Sequence, residues 1–251
     1  MRKVLVALLV AGLMAVSFAG IAAGDEGSYP DEPDSILFVG NSFTYWFDGV
    51  EKQVSALAAA ESPARAIVAD AWTMAGATLK THYLHSEPEI NIGALDEIRE
   101  GDHDVVVLQG DIPENHERDV GSFLEYARLF DAEIGDKNAR TVFYMTWPYE
   151  RLDWIDLDGI IAAHRQLEAE LGADTAPVGL AMANALAERP DLAMLGGDKE
   201  HASAAGTYLA AATIYATLFD RSPEGLGFAT KTVNPEDAAF LHGIAWETVQ
   251  E

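Results

Sequence analysis

Cysteine is absent from this chain, and basic residues are few. The lack of cysteine excludes disulfides, thiolate metal sites, thiol nucleophiles and lipid attachment through an N-terminal cysteine. The seven histidines form neither a His-x-x-x-His pair nor a Glu-flanked zinc helix, so the usual zinc patterns are missing as well. The sequence therefore predicts a protein without a metal or other cofactor.

The charge is strongly one-sided, because 16 lysine and arginine residues stand against 41 acidic residues and the formal net charge is −25. A surface this acidic repels phosphate groups, so neither nucleic acid nor an anionic membrane surface is an expected partner. Hydrophobic residues make up 49% of the 251 positions. That share is enough to build the core of one globular domain.

Residues 1–23 have the pattern of a secretory signal. A positively charged start precedes an apolar run over residues 4–18, and small-x-small cleavage patterns follow at 17–19 and 22–24. We expect cleavage, and hence a secreted or periplasmic location, because acidic residues follow without stop-transfer charges. The alternative is an uncleaved membrane anchor, because apolar and small residues continue to Ala23.

After a polar, proline-containing linker over residues 24–34, one α/β domain is predicted over residues 35–251. Short β-rich runs alternate with helical patterns, which indicates a parallel sheet covered by helices on both faces. The predicted fold is a three-layer α/β/α arrangement with a flavodoxin-like parallel sheet of about five strands. Strands are expected at 36–40, 65–71, 104–109, 141–146 and 177–181, and helices at 47–60, 91–100, 117–134, 157–171, 203–219 and 234–250. A short helix that ends at about residue 85 is also expected after the second strand.

The run 36–44 places a serine on a tight turn between the first strand and a helix. Gly40 permits the turn, and Asn41 and Ser42 are suited to cap a helix that is predicted to begin near Trp46. A serine in this position faces outward beside free helical N–H groups, so it can serve as a nucleophile next to an oxyanion site. The alternative is that Asn41 and Ser42 are only a helix cap.

Asp198 and His201 are the candidate partners of Ser42. They form an Asp-x-x-His pattern in the loop before the helix at 203–219. At this spacing the carboxylate can reach one imidazole nitrogen and leave the other for the serine hydroxyl, as nucleophilic catalysis requires. The alternative is that both residues cap the following helix and face solvent.

With these residues, the chain resembles the SGNH (GDSL-type) hydrolase superfamily, especially the branch whose first block reads Gly-Asn-Ser-Phe-Thr. Four segments carry the resemblance: 37–44, 75–79, 104–109 and 198–209. The resemblance implies that Ser42 is the nucleophile, His201 the general base and Asp198 the carboxylate that orients it. It also implies that the backbone N–H groups of Ser42 and Gly76 contribute to the oxyanion hole.

The chain departs from this superfamily at the third block, which usually reads Gly-x-Asn-Asp and supplies an asparagine donor to the oxyanion. Here residues 108–111 read Leu-Gln-Gly-Asp. Gln109 carries the same amide group on a longer stem, so it is the candidate third donor of the oxyanion hole. The alternative is that Gln109 only ties the loops at the strand ends together. Asn115 is a weaker substitute, further into the loop.

Three aromatic residues near the predicted site are candidate substrate contacts: Tyr45, Trp46 and Trp147. Aromatic rings stack on sugars and pack against acyl chains. The alternative is that these rings pack inside the protein.

Taken together, these residues predict a secreted serine hydrolase that cleaves a carboxylic ester through an acyl-enzyme on Ser42. By family analogy, the favoured substrate is a small-molecule or carbohydrate ester, such as an O-acetyl group on a sugar. A lipid or simple-ester esterase is the first alternative. The others are a non-catalytic ligand-binding protein on the same fold and a membrane-anchored scaffolding protein.

Overall fold

Five parallel strands form the centre of the computed structural model, which describes residues 32–85 and 93–251. The strands are β1 (Ser35–Gly40), β2 (Val68–Thr73), β3 (Val105–Gly110), β4 (Arg140–Met145) and β5 (Asp174–Ala176). Their order in the sheet is β2-β1-β3-β4-β5, and each neighbouring pair is parallel. The predicted flavodoxin-like sheet is confirmed. The predicted signal at 1–23 and most of the linker at 24–34 lie outside the described residues.

Helices cover both faces of this sheet. In the described part of the chain they are α1 (Ser42–Tyr45), α2 (Val50–Ala59), α3 (Leu79–Leu84), α4 (Ala94–Glu100), α5 (Gly121–Gly135), α6 (Leu157–Leu171), α7 (Val178–Glu188), α8 (Ala204–Phe219) and α9 (Pro235–Val249). None of the helices within residues 32–85 and 93–251 has both the length and the apolar character needed to cross a membrane.

The two faces of the sheet bury separate sets of side chains. Ile36 and Phe38 of β1 join a cluster formed with α2, α7, α8 and α9. Leu37 and Val39 join a second cluster on the other face, formed with α3, α4, α5 and α6. This division follows from the alternation of side chains along a strand. Because all six residues of β3 are buried, the central strand is covered on both faces, as the three-layer prediction requires.

Helix α8 lies deep in one of these layers. Every residue from Gly206 to Ala216 is buried, and the helix packs against α2, α7 and α9. A helix that is apolar on all sides is stable only in such surroundings. Since α8 begins shortly after His201, its burial fixes the position at which the loop containing His201 ends.

The predicted fifth strand at 177–181 is wrong. Those residues begin helix α7, and the fifth strand is the three-residue segment just before them. The buried positions of α7 include 178, 181, 182 and 185, which is the spacing of one helix face. A short apolar run cannot be assigned to a strand or a helix from its composition alone.

Other predicted boundaries differ by a few residues. β2 begins at Val68, three residues later than predicted, and the helix predicted over 47–60 begins at Val50. Residues 47–49 have φ angles of 46°, 69° and 87°, which a right-handed helix does not accept. The chain therefore makes a separate turn between α1 and α2.

Candidate active site

The turn that carries Ser42 begins where β1 ends. Helix α1 starts at Ser42, one turn earlier than predicted, because the side-chain oxygen of Asn41 caps it by accepting from the Phe43 N–H at 3.0 Å. A Cβ atom at Gly40 would lie 2.4 Å from Thr44 Oγ1 and 2.6 Å from Gln109 Oε1. The strand end, the helix and Gln109 thus approach so closely that only glycine fits at position 40.

A buried polar network holds this turn. Gln109 Oε1 accepts from the Asn41 backbone N–H and from Thr44 Oγ1, both at 2.9 Å. Gln109 Nε2 donates to Asn41 Oδ1 at 2.9 Å. Asn41 Nδ2 donates in turn to Asp111 Oδ2 at 2.7 Å and to the Ala77 carbonyl at 3.1 Å. Since a fully paired buried network specifies one arrangement, these bonds fix the direction in which α1 leaves the sheet.

The structure brings the three predicted catalytic side chains together. Ser42 Oγ lies 2.8 Å from His201 Nε2, across a separation of 159 residues. His201 Nδ1 lies 2.8 Å from Asp198 Oδ2. The hydrogen bond from His201, assisted by the Glu200 N–H, lowers the pKa of Asp198, so this carboxylate is ionised. Nδ1 of His201 therefore carries the shared proton, and Nε2 is left to accept from the Ser42 hydroxyl.

The loop that presents His201 is held by a hydrogen bond within its own backbone and by contacts with the segment that follows β4. The Gly196 N–H donates to the His201 carbonyl at 2.7 Å, and Trp147 Nε1 donates to the Glu200 carbonyl at 2.9 Å. Arg151 binds both carboxylate oxygens of Glu200, at 2.7 and 2.8 Å. These contacts hold the backbone on which His201 sits, so the imidazole has little freedom to leave Ser42.

Trp147 is not a substrate contact in this structure, which corrects the prediction. Only 3% of the residue is exposed, and its ring stacks on Phe43 with centroids 4.7 Å apart. The indole fills the space between α1 and the His201 loop. Tyr45 and Trp46, the other two aromatic candidates, end the helix that begins at Ser42 and are 38% and 39% exposed.

Two backbone N–H groups, at the turn that carries Ser42 and at the neighbouring one, have no acceptor among the described residues. Within the described residues, neither the Ser42 N–H nor the Gly76 N–H has a protein acceptor. Gly76 has a φ of 64° and open space around its missing side chain, so its backbone conformation, rather than crowding, favours glycine. The turn that contains Gly76 is joined to the Ser42 turn, because the Met74 N–H donates to the Gly40 carbonyl at 3.0 Å.

The side-chain amide of Gln109 is bound within the protein and is not free to donate to an oxyanion, which corrects the prediction of a third donor. Both of its polar atoms bind Asn41, as described above, and the residue is only 1% exposed. Asn115 uses its own amide within its loop, where Nδ2 donates to the Asp119 carbonyl at 3.1 Å. The structure thus favours the alternative interpretation, in which Gln109 ties the strand ends together.

Asp111 is the residue of this site that sequence reasoning missed. It is 4% exposed, and its carboxylate accepts from Asn41 and, at 3.1 Å, from the Tyr149 hydroxyl. Burial raises the pKa of Asp111 to about 7, although the hydrogen bond from Asn41 favours the ionised form. An acidic residue directly after a buried central strand was the available signal.

Two cavities flank the site. One, of about 650 Å³, lies against the His201 loop and is lined by Tyr149, Met194, Leu195 and Lys199 among others. The second, of about 190 Å³, lies on the Gly76 side and includes Lys80 and Asn115. No group of three or more acidic or histidine side chains in residues 32–85 and 93–251 is placed to hold a metal ion.

The structural role of Gln109 predicts the effect of removing its amide. Gln109→Met keeps the volume but leaves the Asn41 N–H and the Thr44 hydroxyl without an acceptor, so we expect the free energy of unfolding to fall by about 2–4 kcal/mol. Urea denaturation measures this change. Gln166→Met, on the exposed surface of α6, is the matched control and should be near neutral. Unchanged stability with a roughly 100-fold loss of turnover would instead return Gln109 to the oxyanion hole.

The buried carboxyl of Asp111 predicts a pH dependence of stability. The pKa of Asp111 is about 7 in the folded protein, against 3.8 for an ordinary aspartate such as that of the unfolded chain. At a pH between these two values, the folded form binds a proton that the unfolded form has lost. The free energy of unfolding should therefore decrease as the pH rises from about 4 to about 7.

Comparison of the wild type with Asp111→Asn tests this dependence, because the substitution keeps the shape and removes the ionisation. From pH 5 to pH 8, the wild type should lose on the order of 2 kcal/mol relative to this variant. Asp153→Asn, which removes an exposed carboxylate, should follow the wild-type curve. Parallel curves for the wild type and Asp111→Asn would contradict the proposed ionisation.

Solved structures with the same fold include known hydrolases. A DUF4886 family protein from Bacteroides uniformis ATCC 8492 superimposes with a TM-score of 0.66 and 19% identity, over 86% of this chain and 94% of that one. The lipase/acylhydrolase from Enterococcus faecalis superimposes with a TM-score of 0.59 and 17% identity, over 74% of this chain and 96% of that one. A mutant of the acetyl-xylooligosaccharide esterase from Geobacillus Stearmophilus superimposes with a TM-score of 0.58 and 16% identity, over 80% of this chain and 98% of that one.

No protein-family model and no curated protein matches the chain. The shared architecture is thus established by structure, at low sequence identity. The chain has the three-layer fold of these lipase, acylhydrolase and esterase structures, which is the fold that its resemblance to the SGNH superfamily predicts.

Proposed function

We propose that this protein is a serine hydrolase of the SGNH type that cleaves carboxylic esters. The observation that carries the proposal is the continuous chain of hydrogen bonds from Ser42 through His201 to Asp198, with 2.8 Å at each step. A serine hydroxyl becomes an effective nucleophile when a base accepts its proton and a carboxylate orients that base. The fold shared with lipase and esterase structures supports the same reaction class.

In the proposed reaction, Ser42 Oγ attacks the ester carbonyl carbon while Nε2 of His201 takes the hydroxyl proton. The carbonyl oxygen becomes an oxyanion that the N–H groups of Ser42 and Gly76 stabilise. His201 then donates its proton to the leaving alcohol, and an acyl-enzyme remains on Ser42. A water molecule, activated by the same imidazole, releases the acid and restores the serine.

A carbohydrate ester, such as an O-acetyl sugar, is the proposed substrate class. Tyr45 and Trp46 support it, because they are exposed aromatic residues on the segment that carries Ser42 and exposed aromatic faces stack on sugar rings. One of the structures with this fold is an acetyl-xylooligosaccharide esterase. The second candidate is a lipid or simple ester, which the largely apolar cavity of about 650 Å³ beside Lys199 favours.

The proposal extends to an extracytoplasmic location, for which residues 1–23 provide the predicted signal. The intact mass of the exported protein is the check. A mass that corresponds to loss of this segment supports release, and a full-length mass supports an anchored form.

Hydrolysis of a short-chain p-nitrophenyl ester tests the catalytic roles. Ser42→Ala and His201→Ala should each lower kcat by about 10³-fold or more, because the nucleophile and its base act as one unit. Ser55→Ala on α2 is the matched serine control and should keep wild-type activity. A fluorophosphonate should label the wild type once and leave Ser42→Ala unlabelled. Equal rates for the wild type and both variants would refute the proposal.

A second assay, which measures the carboxylic acid released from each substrate, separates the two substrate classes. If kcat/KM is higher for acetylated oligosaccharides than for long-chain acyl esters, the carbohydrate proposal stands. The reverse order would replace it with a lipid esterase while leaving the serine mechanism intact.

A further inference from the structure

An indole ring covers one face of the His201 imidazole. The rings of Trp46 and His201 are stacked, with centroids 4.5 Å apart and an interplanar angle of 23°. Phe43 approaches the same imidazole edge-on, at 5.6 Å and 83°. His201 therefore contacts two aromatic rings that come from the segment carrying Ser42.

The backbone around Trp46 keeps the indole in this place. The Trp46 N–H donates to the Ser42 carbonyl at 3.0 Å, and the Gly49 N–H donates to the Trp46 carbonyl at 3.1 Å. The two residues that follow Trp46, Phe47 and Asp48, both have positive φ angles. A bulky residue such as phenylalanine rarely adopts this conformation, and such strain is concentrated at functional sites.

We propose that Trp46 is a positioning residue that holds the His201 imidazole and stabilises its protonated form through the face of the indole. The proposal rests on the proposed function, in which His201 carries a positive charge once it has taken the proton of Ser42. A cation within about 6 Å of a tryptophan ring is attracted by the electrons of that ring. Trp46 is 39% exposed, so its outer face remains open to substrate.

The charged groups around His201 divide into three sets. Asp198 binds Nδ1 directly, but its side chain is about half exposed, so water weakens its support for the imidazolium. Glu200 and Glu114 both pair with Arg151. Other charged or titratable groups on the neighbouring described segments include Tyr45, Asp48, Lys199, Asp111, Tyr149 and Glu150. Substitution of Trp46 leaves all of them in place and isolates the contribution of the indole.

Two substitutions separate the aromatic face from simple apolar cover. Trp46→Leu keeps a hydrophobic side chain over His201 without a π system, and Trp46→Phe restores an aromatic face. NMR titration of the His201 imidazole is the first measurement, because it does not depend on activity. In Trp46→Leu the protonation midpoint should move about 0.5 to 1 pH unit lower, and Trp46→Phe should recover a large part of the shift.

Kinetics provide the second measurement. Trp46→Leu should lower kcat by about 3- to 30-fold and shift the acidic limb of kcat/KM to lower pH by the same interval. Phe240→Leu on α9 is the control, since it removes an aromatic ring that packs against Arg189, and it should keep the wild-type profile.

Three outcomes decide between this inference and its rivals. An unchanged protonation midpoint with a raised KM would show that Trp46 contacts only substrate, which overturns the inference. An equal loss of kcat in Trp46→Leu and Trp46→Phe, with the midpoint unmoved, would also overturn it. If Ser42→Ala kept full activity, the proposed function would fail, while the titration would still report the effect of Trp46 on His201.

Discussion

The hydrogen-bonded contact between Gln109 and Asn41 is the interaction on which the site depends. It joins the end of β3 to the turn after β1 through backbone and side-chain bonds, all buried. Because this contact includes the side chain of Asn41, which caps α1, it determines where the first helical residue, Ser42, lies relative to the sheet. The residue that departs from the third block of the SGNH pattern therefore positions the turn that carries Ser42.

The second half of the site is positioned from the opposite direction. Trp147 and Arg151, which follow β4, hold the loop that carries His201. Phe43 links the two halves, since its ring contacts both Trp147 and His201. Packing between buried aromatic rings thus transmits the geometry of the sheet to the hydrogen bond between serine and histidine, while the carboxylate of Asp198 stays close to solvent.

Much of this structure follows from the sequence. The alternation of strands and helices fixes the layer order, and the Asn-Ser turn together with Asp198-x-x-His201 identifies three side chains that do meet. The failures have local physical causes. Residues 177–181 are apolar enough for either a strand or a helix, so only their packing against neighbouring elements decides. The direction of the Gln109 amide and the burial of Trp147 depend on contacts with residues distant in sequence, as does the environment of Asp111.

The sequence separation of 159 positions between Ser42 and His201 has a consequence for how the proposed site is assembled. Loop closure over that distance costs entropy that only the intervening packed helices and strands can offset. A growing chain therefore contains Ser42 long before it contains His201, and α8 must be packed in place before the two can meet. The hydrogen bond between Ser42 and His201 is in this sense a late product of folding, and a partly folded chain lacks the proposed site.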